Sequence, residues 1–292
     1  MTAKYPDDTR LLIEAGLKKY FPKKRNPEVI YEAMSHSLFS GGKRFRAILV
    51  IEAAKLFGAT AEEVMPTACA VEYIHTYSLI HDDLPAIDDD ELRRGKPTCH
   101  ILFGEAMAIL AGDALFSEAF SLIASAQRAG DCGRIVDVVR ELSSAAGVSG
   151  MVGGQVVDII SEGRGIDAAT LEFIHENKTG ALIKASVRAG SILAGASPSE
   201  LTRLNSYAGY LGLAFQITDD VLDVVGDTEV LGKMAGSDVK LGKATYPSVY
   251  GLEEAKAMAE SVVGRAKEAL NGVAGDTAVL RNLADFVYER QF

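Results

Sequence analysis

Six acidic residues, Asp82, Asp83, Asp88, Asp89, Asp90 and Glu91, run directly ahead of three basic ones, Arg93, Arg94 and Lys96. Carboxylates set this close repel one another and, where buried, suffer desolvation, so the cluster calls for cations. Mg²⁺ suits it, being a hard ion that takes one or two carboxylates and completes its shell with substrate phosphate oxygens. The arginines and lysine immediately behind supply the planar forks and the point charge that grip an anion. A solvated acidic loop would need no such neighbours. The residues leading in, Val71 to Ile80, are apolar enough for a buried helix, which puts His75, either Ser78 or Leu79, and Asp82 along one face.

A second acidic cluster repeats the idea far downstream. Phe215 to Asp223 places Gln216, either Asp219 or Asp220, and Asp223 as a polar stripe on an otherwise apolar helix. Two such helices, distant in the chain and each flanked by apolar residues, most economically face each other across one cavity, with metal ions and a polyanion between them. An EF-hand is excluded, because neither stretch has the alternating acids, central glycine and closing glutamate of that loop.

Asp82-Asp83-x-x-x-x-Asp88, followed by Leu92-Arg93-Arg94-Gly95-Lys96-Pro97, and Asp219-Asp220-x-x-Asp223 resemble the two aspartate-rich motifs of trans-isoprenyl diphosphate synthases. The resemblance extends to Gly41-Gly42-Lys43-Arg44-Phe45-Arg46, Gly112-Asp113-Ala114-Leu115, Gly153-Gly154-Gln155-x-x-Asp158, Lys178-Thr179-Gly180, and Leu231-Gly232-Lys233 to Thr245-Tyr246-Pro247. The spacing of the first motif is similar to that of short-chain bacterial farnesyl diphosphate synthases and of plant-type geranylgeranyl enzymes.

The resemblance implies an all-α fold, a single large helical bundle over residues 1–292 with a central cavity between the two aspartate helices. It implies a short-chain prenyltransferase that condenses isopentenyl diphosphate with dimethylallyl or geranyl diphosphate to farnesyl diphosphate, releasing pyrophosphate; geranylgeranyl diphosphate is the alternative product. About three Mg²⁺ would be held by Asp82, Asp83 and Asp88 on one wall and Asp219, Asp220 and Asp223 on the other. Lys43, Arg46, His75 and Arg94 would hold the diphosphate of isopentenyl diphosphate. Arg93, Lys178 and Lys233 would hold that of the allylic partner, Lys243 assisting, while the Thr179 hydroxyl and the adjoining helix carbonyl face the positive carbon and Gln216 joins the catalytic set. Those carboxylates and a trianionic diphosphate amount to roughly nine negative charges, each close like-charged pair costing about 4 kcal/mol at an effective dielectric near 20, which is why metal is required. A homodimer is also implied.

Product length is expected to be fifteen carbons, since the growing chain must run along the helix that ends at Asp82. Ser78 lies one turn below that aspartate and Tyr77 stands beside it, large enough to stop an alkyl chain. Tyr77 could instead be an ordinary core aromatic, with the floor supplied by a neighbouring helix or a dimer partner. Two departures from the family pattern stand out: Ala47 occupies a usual proline position, and the C-terminal end offers only Arg290 where some relatives carry a basic tail.

A rival of a different class rests on Glu72-x-x-His75 and Glu172-x-x-His175, the Glu-x-x-His pattern of di-iron bundles. It leaves both aspartate clusters and every basic residue unemployed. A silent regulatory subunit would be expected to lose an aspartate motif, and a terpene cyclase to vary the second; both are intact here.

The supporting elements read as helices throughout. Residues 8–20, 28–39, 43–56, 101–126, 134–146, 154–161, 171–196 and 201–225 carry helical periodicity, two amphipathic helices fill 252–290, and no strand-like alternation is sustained. Gly147 to Gly154 reads as a glycine-rich break, and residues 226–247 as a long loop. Lys43, Arg44 and Arg46 open a helix against its macrodipole, which makes sense if an anion sits among them. Lys178, in a small and apolar run, is either a snorkelling side chain or a ligand group; Gln155 and Asp158 either line the cavity or belong to a helix surface.

With 292 residues, 48% hydrophobic, 24% charged and a formal charge of -10, the chain has ample material for a large core and no basic surface for nucleic acid. Three scattered cysteines, Cys69, Cys99 and Cys132, suit neither a disulfide framework nor a zinc site and point to a reducing cytoplasm. The first residues lack the apolar core of a signal peptide. The most apolar stretch, 101–126, is interrupted by Glu105, Asp113 and Glu118, so no stable membrane insertion is expected.

Overall fold

The computed structural model describes residues 5–225 and 245–289. Helices α1 (Asp7–Tyr20) and α2 (Glu28–Leu38) lead to α3 (Phe45–Lys55) and α4 (Ala61–Asp82), the helix that ends at the first aspartate pair. Then come α5 (Cys99–Phe103), α6 (Glu105–Ala126), α7 (Cys132–Ala146), α8 (Met151–Ser161) and α9 (Ala168–Ile174). A π-helical turn, His175–Gly180, joins α9 to α10 (Ala181–Leu193), and α11 (Pro198–Val225) carries the second aspartate cluster. Beyond it lie α12 (Tyr246–Tyr250), α13 (Leu252–Ala269) and α14 (Ala278–Glu289).

Two helices form the centre of the bundle. Every residue from Ala47 to Ala54 in α3 and from Val64 to Ile74 in α4 is buried, so both are covered on all sides rather than on one stripe. α6 packs along α4, α10 against α3, and α13 along α11, and the buried side chains form one hydrophobic cluster. α4 begins at a capping box: Thr60 Oγ1 accepts from the Glu63 N–H, and the Glu63 carboxylate accepts from the Thr60 N–H. Pro66 inside α4 cannot donate to the preceding turn. The buried Gln127 bridges this break, accepting from the Thr67 N–H at 3.3 Å and donating to the Glu63 carbonyl at 2.8 Å.

The elements differ from the sequence reading in three places. The apolar run 101–126 is interrupted at Gly104, whose φ of 82° ends α5 and starts α6 at a new angle. The glycine-rich break is shorter than its composition suggests, because Gly153 and Gly154 lie inside α8. There they serve close packing: a side chain at Gly154 would collide with the backbone of Lys178. A two-residue ribbon, β1 (Leu92–Arg93) with β2 (Lys96–Pro97), was not expected. Arg94 and Gly95 at its turn both have positive φ, 54° and 74°, the geometry of the tight hairpin turn that matches strand twist.

Candidate active site

A cavity of about 470 Å³ opens between the end of α4 and the middle of α11, with α8 and the π turn closing its sides. From α4 and the loop after it come His75, Tyr77, Ser78, Asp82, Asp88 and Arg93; from α11 come Gln216, Asp219 and Asp220. The two acidic clusters therefore do face each other. Their individual carboxylates are not equivalent.

On the first wall, Asp82 and Asp88 line the cavity and are tied together by the Asp88 N–H, which donates to the Asp82 carbonyl at 2.9 Å. Burial pushes the Asp82 carboxyl up to about 6, with the Lys178 ammonium opposing and Asp88 adding to the rise. Asp83, expected among the metal ligands, points elsewhere: it is 4% exposed and lies outside the cavity lining. Its Oδ1 accepts from Arg93 Nε at 2.6 Å, while Arg93 Nη2 also reaches Asp90 at 3.3 Å. Burial still raises the Asp83 carboxyl against the pull of Arg93. The hairpin turn thus sends Arg93 inward, and sends Arg94 to the carbonyl of Gly41, over Gly42.

On the second wall, Asp219 and Asp220 line the cavity and Asp223 is buried outside its lining. Asp220 Oδ1 accepts from Gln216 Nε2 at 2.8 Å and its Oδ2 from the Tyr246 N–H at 2.9 Å. Gln216 Oε1 in turn accepts from the Thr179 hydroxyl at 2.9 Å. The π turn widens the chain where Lys178 and Thr179 enter the cavity, and such wide turns occur often at functional sites. Lys178 Nζ lies 2.6 Å from Asp158, and both side chains line the cavity together with Gln155.

The cations expected to serve the second substrate divide. Arg46 and His75 are half-buried in the cavity wall, Arg46 Nη1 3.5 Å from His75 Nε2. Burial lowers Arg46 to about 10, with Glu72 opposing and Arg94 adding to the fall, and Arg46 Nε has no hydrogen-bond partner among the described residues. Burial, with Arg46 and Arg94 adding to it, also holds the His75 imidazole well below its ordinary value. Lys43 and Arg94 stand outside this cavity; Lys43 Nζ sits 4.9 Å over the Phe286 ring. Arg44 is a correction. With φ at 55° it turns into the core, where its guanidinium meets Glu14 at 2.7 Å, Glu72 at 3.4 Å and the Leu38 carbonyl at 2.7 Å. Lys233, Lys243 and Arg290 lie outside the described residues.

The di-iron alternative fails on the same contacts. Glu72 is held by Arg44 and by the Ala47 N–H at 3.2 Å, while Glu172 is exposed on α9. Among the described residues no three His, Cys, Asp or Glu side chains converge on one point. Carboxylate oxygens of Asp82, Asp88 and Asp219 set around a cavity fit a hard ion that draws its remaining ligands from water and substrate.

Tyr77 is in the lining and 9% exposed, its ring edge-on to Phe116 at 4.8 Å and to His81 at 5.7 Å. Gly112 leaves the room in which the His81 ring sits. Ser78 lines the cavity too, its hydroxyl donating to the His75 carbonyl at 2.9 Å. Sequence reasoning missed the opposite, apolar wall of Met151, Val152, Val156 and Ile159; their helical spacing was the available signal. It also missed the place of His175 in this cavity, and Tyr246, which contributes a backbone N–H that no residue pattern announces.

The all-helical bundle is the fold of the isoprenyl synthases that the chain resembles. The sequence profile described as polyprenyl synthetase matches residues 27–275, and the chain belongs to that family. It is 47% identical to a geranylgeranyl diphosphate synthase of Cyanophora paradoxa over 98% of this chain and 95% of that protein. It is 49% identical to the farnesyl diphosphate synthase of Escherichia coli K12 over 89% of each. A crystal structure described as a putative farnesyl-diphosphate synthase from Marinomonas sp. MED121 superposes with a TM-score of 0.84 at 38% identity, covering 99% of both chains. The protein is a short-chain trans-prenyltransferase of the prenyl diphosphate synthase type.

Proposed function

We propose that the chain is a Mg²⁺-dependent farnesyl diphosphate synthase working as a single helical domain. The observation that carries the fifteen-carbon product is Tyr77, held between His81 and Phe116 in the cavity wall on the helix that ends at Asp82. Asp82, Asp88 and Asp219 would hold the metal ions, which neutralise the diphosphate and assist its departure. Asp83 and Asp220 are occupied by Arg93, Gln216 and the Tyr246 N–H, so they act at one remove.

Arg93 and Lys178 position the allylic diphosphate, and Arg46 with the neutral His75 binds the second diphosphate, Lys43 and Arg94 approaching when it arrives. The bond from the allylic C1 to oxygen breaks, its electron pair leaving with pyrophosphate. Thr179 Oγ1 and Gln216 Oε1 face the carbon that becomes positive. The terminal double bond of isopentenyl diphosphate then forms the new carbon–carbon bond at C1, and its C2 proton passes to the departing pyrophosphate, leaving the product double bond. Geranylgeranyl diphosphate is the second reading, favoured by the relatives of that name. Ile101, Leu102, Ile109 and Leu110 are exposed on α5 and α6, and α6 is long and apolar enough to cross a membrane by length and composition. Its packing along α4 and this apolar face suit a homodimer interface better. A reducing cytoplasm suits three free cysteines.

The test is to incubate the purified protein with isopentenyl diphosphate and each of dimethylallyl, geranyl and farnesyl diphosphate, with and without Mg²⁺, and identify products by mass. Farnesyl diphosphate from the first two, and no extension of the third, is expected; ready extension of farnesyl diphosphate selects the second reading.

A further inference from the structure

We propose that Asp220 is a positioning residue that fixes the Gln216 amide with its oxygen, rather than its NH₂, toward Thr179 and the cavity. The inference rests on the prenyl-transfer reading and gives a different duty to a carboxylate that the motif assigns to metal. Both Asp220 oxygens have donors, Gln216 Nε2 at 2.8 Å and the Tyr246 N–H at 2.9 Å. A carboxylate only accepts hydrogen bonds, so the end of the Gln216 amide that faces it must be the NH₂. The amide oxygen is then forced to the other end, where it accepts from Thr179 Oγ1 at 2.9 Å.

Asp220 itself is held in place. It is 2% exposed, and the Tyr246 N–H reaches it from a separate helix. The His175 ring stacks on Tyr246 at 5.3 Å with 21° between planes, its Nε2 3.4 Å from Asp220 Oδ2. An amide presents opposite charge at its two ends. An oxygen fixed toward a carbon that turns positive stabilises it without reorganisation, whereas an NH₂ in the same place opposes it.

D220N puts this to the test with little change of shape. The amide that replaces the carboxylate has one acceptor oxygen for two donors. If that oxygen stays with the Tyr246 N–H, the new NH₂ faces Gln216, whose amide inverts; the Thr179 hydroxyl turns to accept, and an NH₂ replaces the oxygen at the cavity. The expected result is a kcat about 10- to 100-fold lower, with both KM values and the half-saturating Mg²⁺ concentration within about twofold. Calorimetric titration of Mg²⁺ in the presence of inorganic pyrophosphate should give unmodified and D220N proteins the same affinity. The charge-neutral pair D220N/Q216E returns an acceptor oxygen to Thr179 whichever way the side chain at position 216 turns, and should recover most of the lost kcat. That pair also keeps every hydrogen bond in the network, so it serves where D220N alone folds poorly, and it should turn over at least about tenfold faster than Q216L. A tenfold weaker Mg²⁺–pyrophosphate affinity in D220N makes Asp220 a metal ligand and overturns the inference, as does a double variant no faster than D220N or Q216L. An unmodified protein that forms no prenyl product overturns the reading beneath it as well.

Discussion

The two acidic walls each carry an Asp-Asp pair and a third aspartate, with four residues between them in the first and two in the second, and use them differently. Asp82 is the last residue of α4 and Asp88 lies in the loop that follows, so both reach the cavity where the helix gives way, while Asp83 folds back onto Arg93. The second wall stays within the continuous helix α11: Asp219 and Asp220 both line the cavity, Asp220 with its oxygens already bonded by Gln216 and α12, and Asp223 is buried outside the lining. A loop leaving a helix end can bring a second carboxylate beside the helix's last one, whereas a straight helix places adjacent residues about 100° apart and fixes the angle between them. Identical letters therefore divide into groups that face the substrate and groups that hold those groups in place.

The largest effects should come from the cavity-facing members assigned to metal. Asp82→Ala and Asp219→Ala are each expected to cut turnover by orders of magnitude, about 3 to 4 kcal/mol of barrier, with the circular dichroism spectrum unchanged. Near-normal turnover in either variant at saturating Mg²⁺ removes that wall from the chemistry. Asp83→Ala should cost less, acting through Arg93 and raising the KM for the allylic substrate. Arg93→Ala should do the same, and a loss in Asp83→Ala that matches Asp82→Ala would erase the distinction drawn between them.

Next come the cations expected at the second diphosphate. Arg46→Ala should raise the KM for isopentenyl diphosphate more than that for the allylic partner, and more than Lys43→Ala does, because Arg46 lines the cavity and Lys43 does not. Equal responses of both substrates would show that the anion pockets are not separate. Tyr77→Ala should lengthen the product to twenty carbons or more and Ser78→Phe shorten it to ten, read by mass; an unchanged product with activity retained in Tyr77→Ala shows that the floor lies elsewhere.

Much of this was legible in the sequence because the relevant signals are local. Helix periodicity, the Asp-Asp spacings and the basic run after Glu91 each depend on residues a few positions apart. What escaped was long-range. Nothing near Arg44 in the chain announces that Glu14 and Glu72 will enclose it, so it read as one of three cations at an anion site. Asp83 and Asp220 looked like their neighbours because a partner 10 residues on, and one 26 residues on, decide which way they turn. Gly153 and Gly154 read as a break, although they lie inside α8, Gly154 allowing its close approach to the π turn and Gly153 to the Val148 backbone.

The smallest expected effect is one of pH. Burial and the nearby guanidinium groups hold the folded His75 well below 6.5, so below that pH the unfolded chain binds a proton that the folded one does not. Its contribution to stability is present above about pH 6.5 and is lost as the pH falls below it. Melting temperatures of unmodified protein and His75→Gln, compared from pH 7.5 to 5.5, should show the shallower acid loss in the variant; equal slopes would mean that His75 is not the group responsible.

The central claim, Mg²⁺-dependent prenyl transfer stopped at fifteen carbons, is tested most directly by counting pyrophosphate released per dimethylallyl diphosphate consumed under excess isopentenyl diphosphate. Two successive condensations give a ratio of two, abolished by chelation of Mg²⁺, and that is the expected result. A ratio of three contradicts the Tyr77 floor, and pyrophosphate release that is absent or indifferent to Mg²⁺ contradicts the account as a whole.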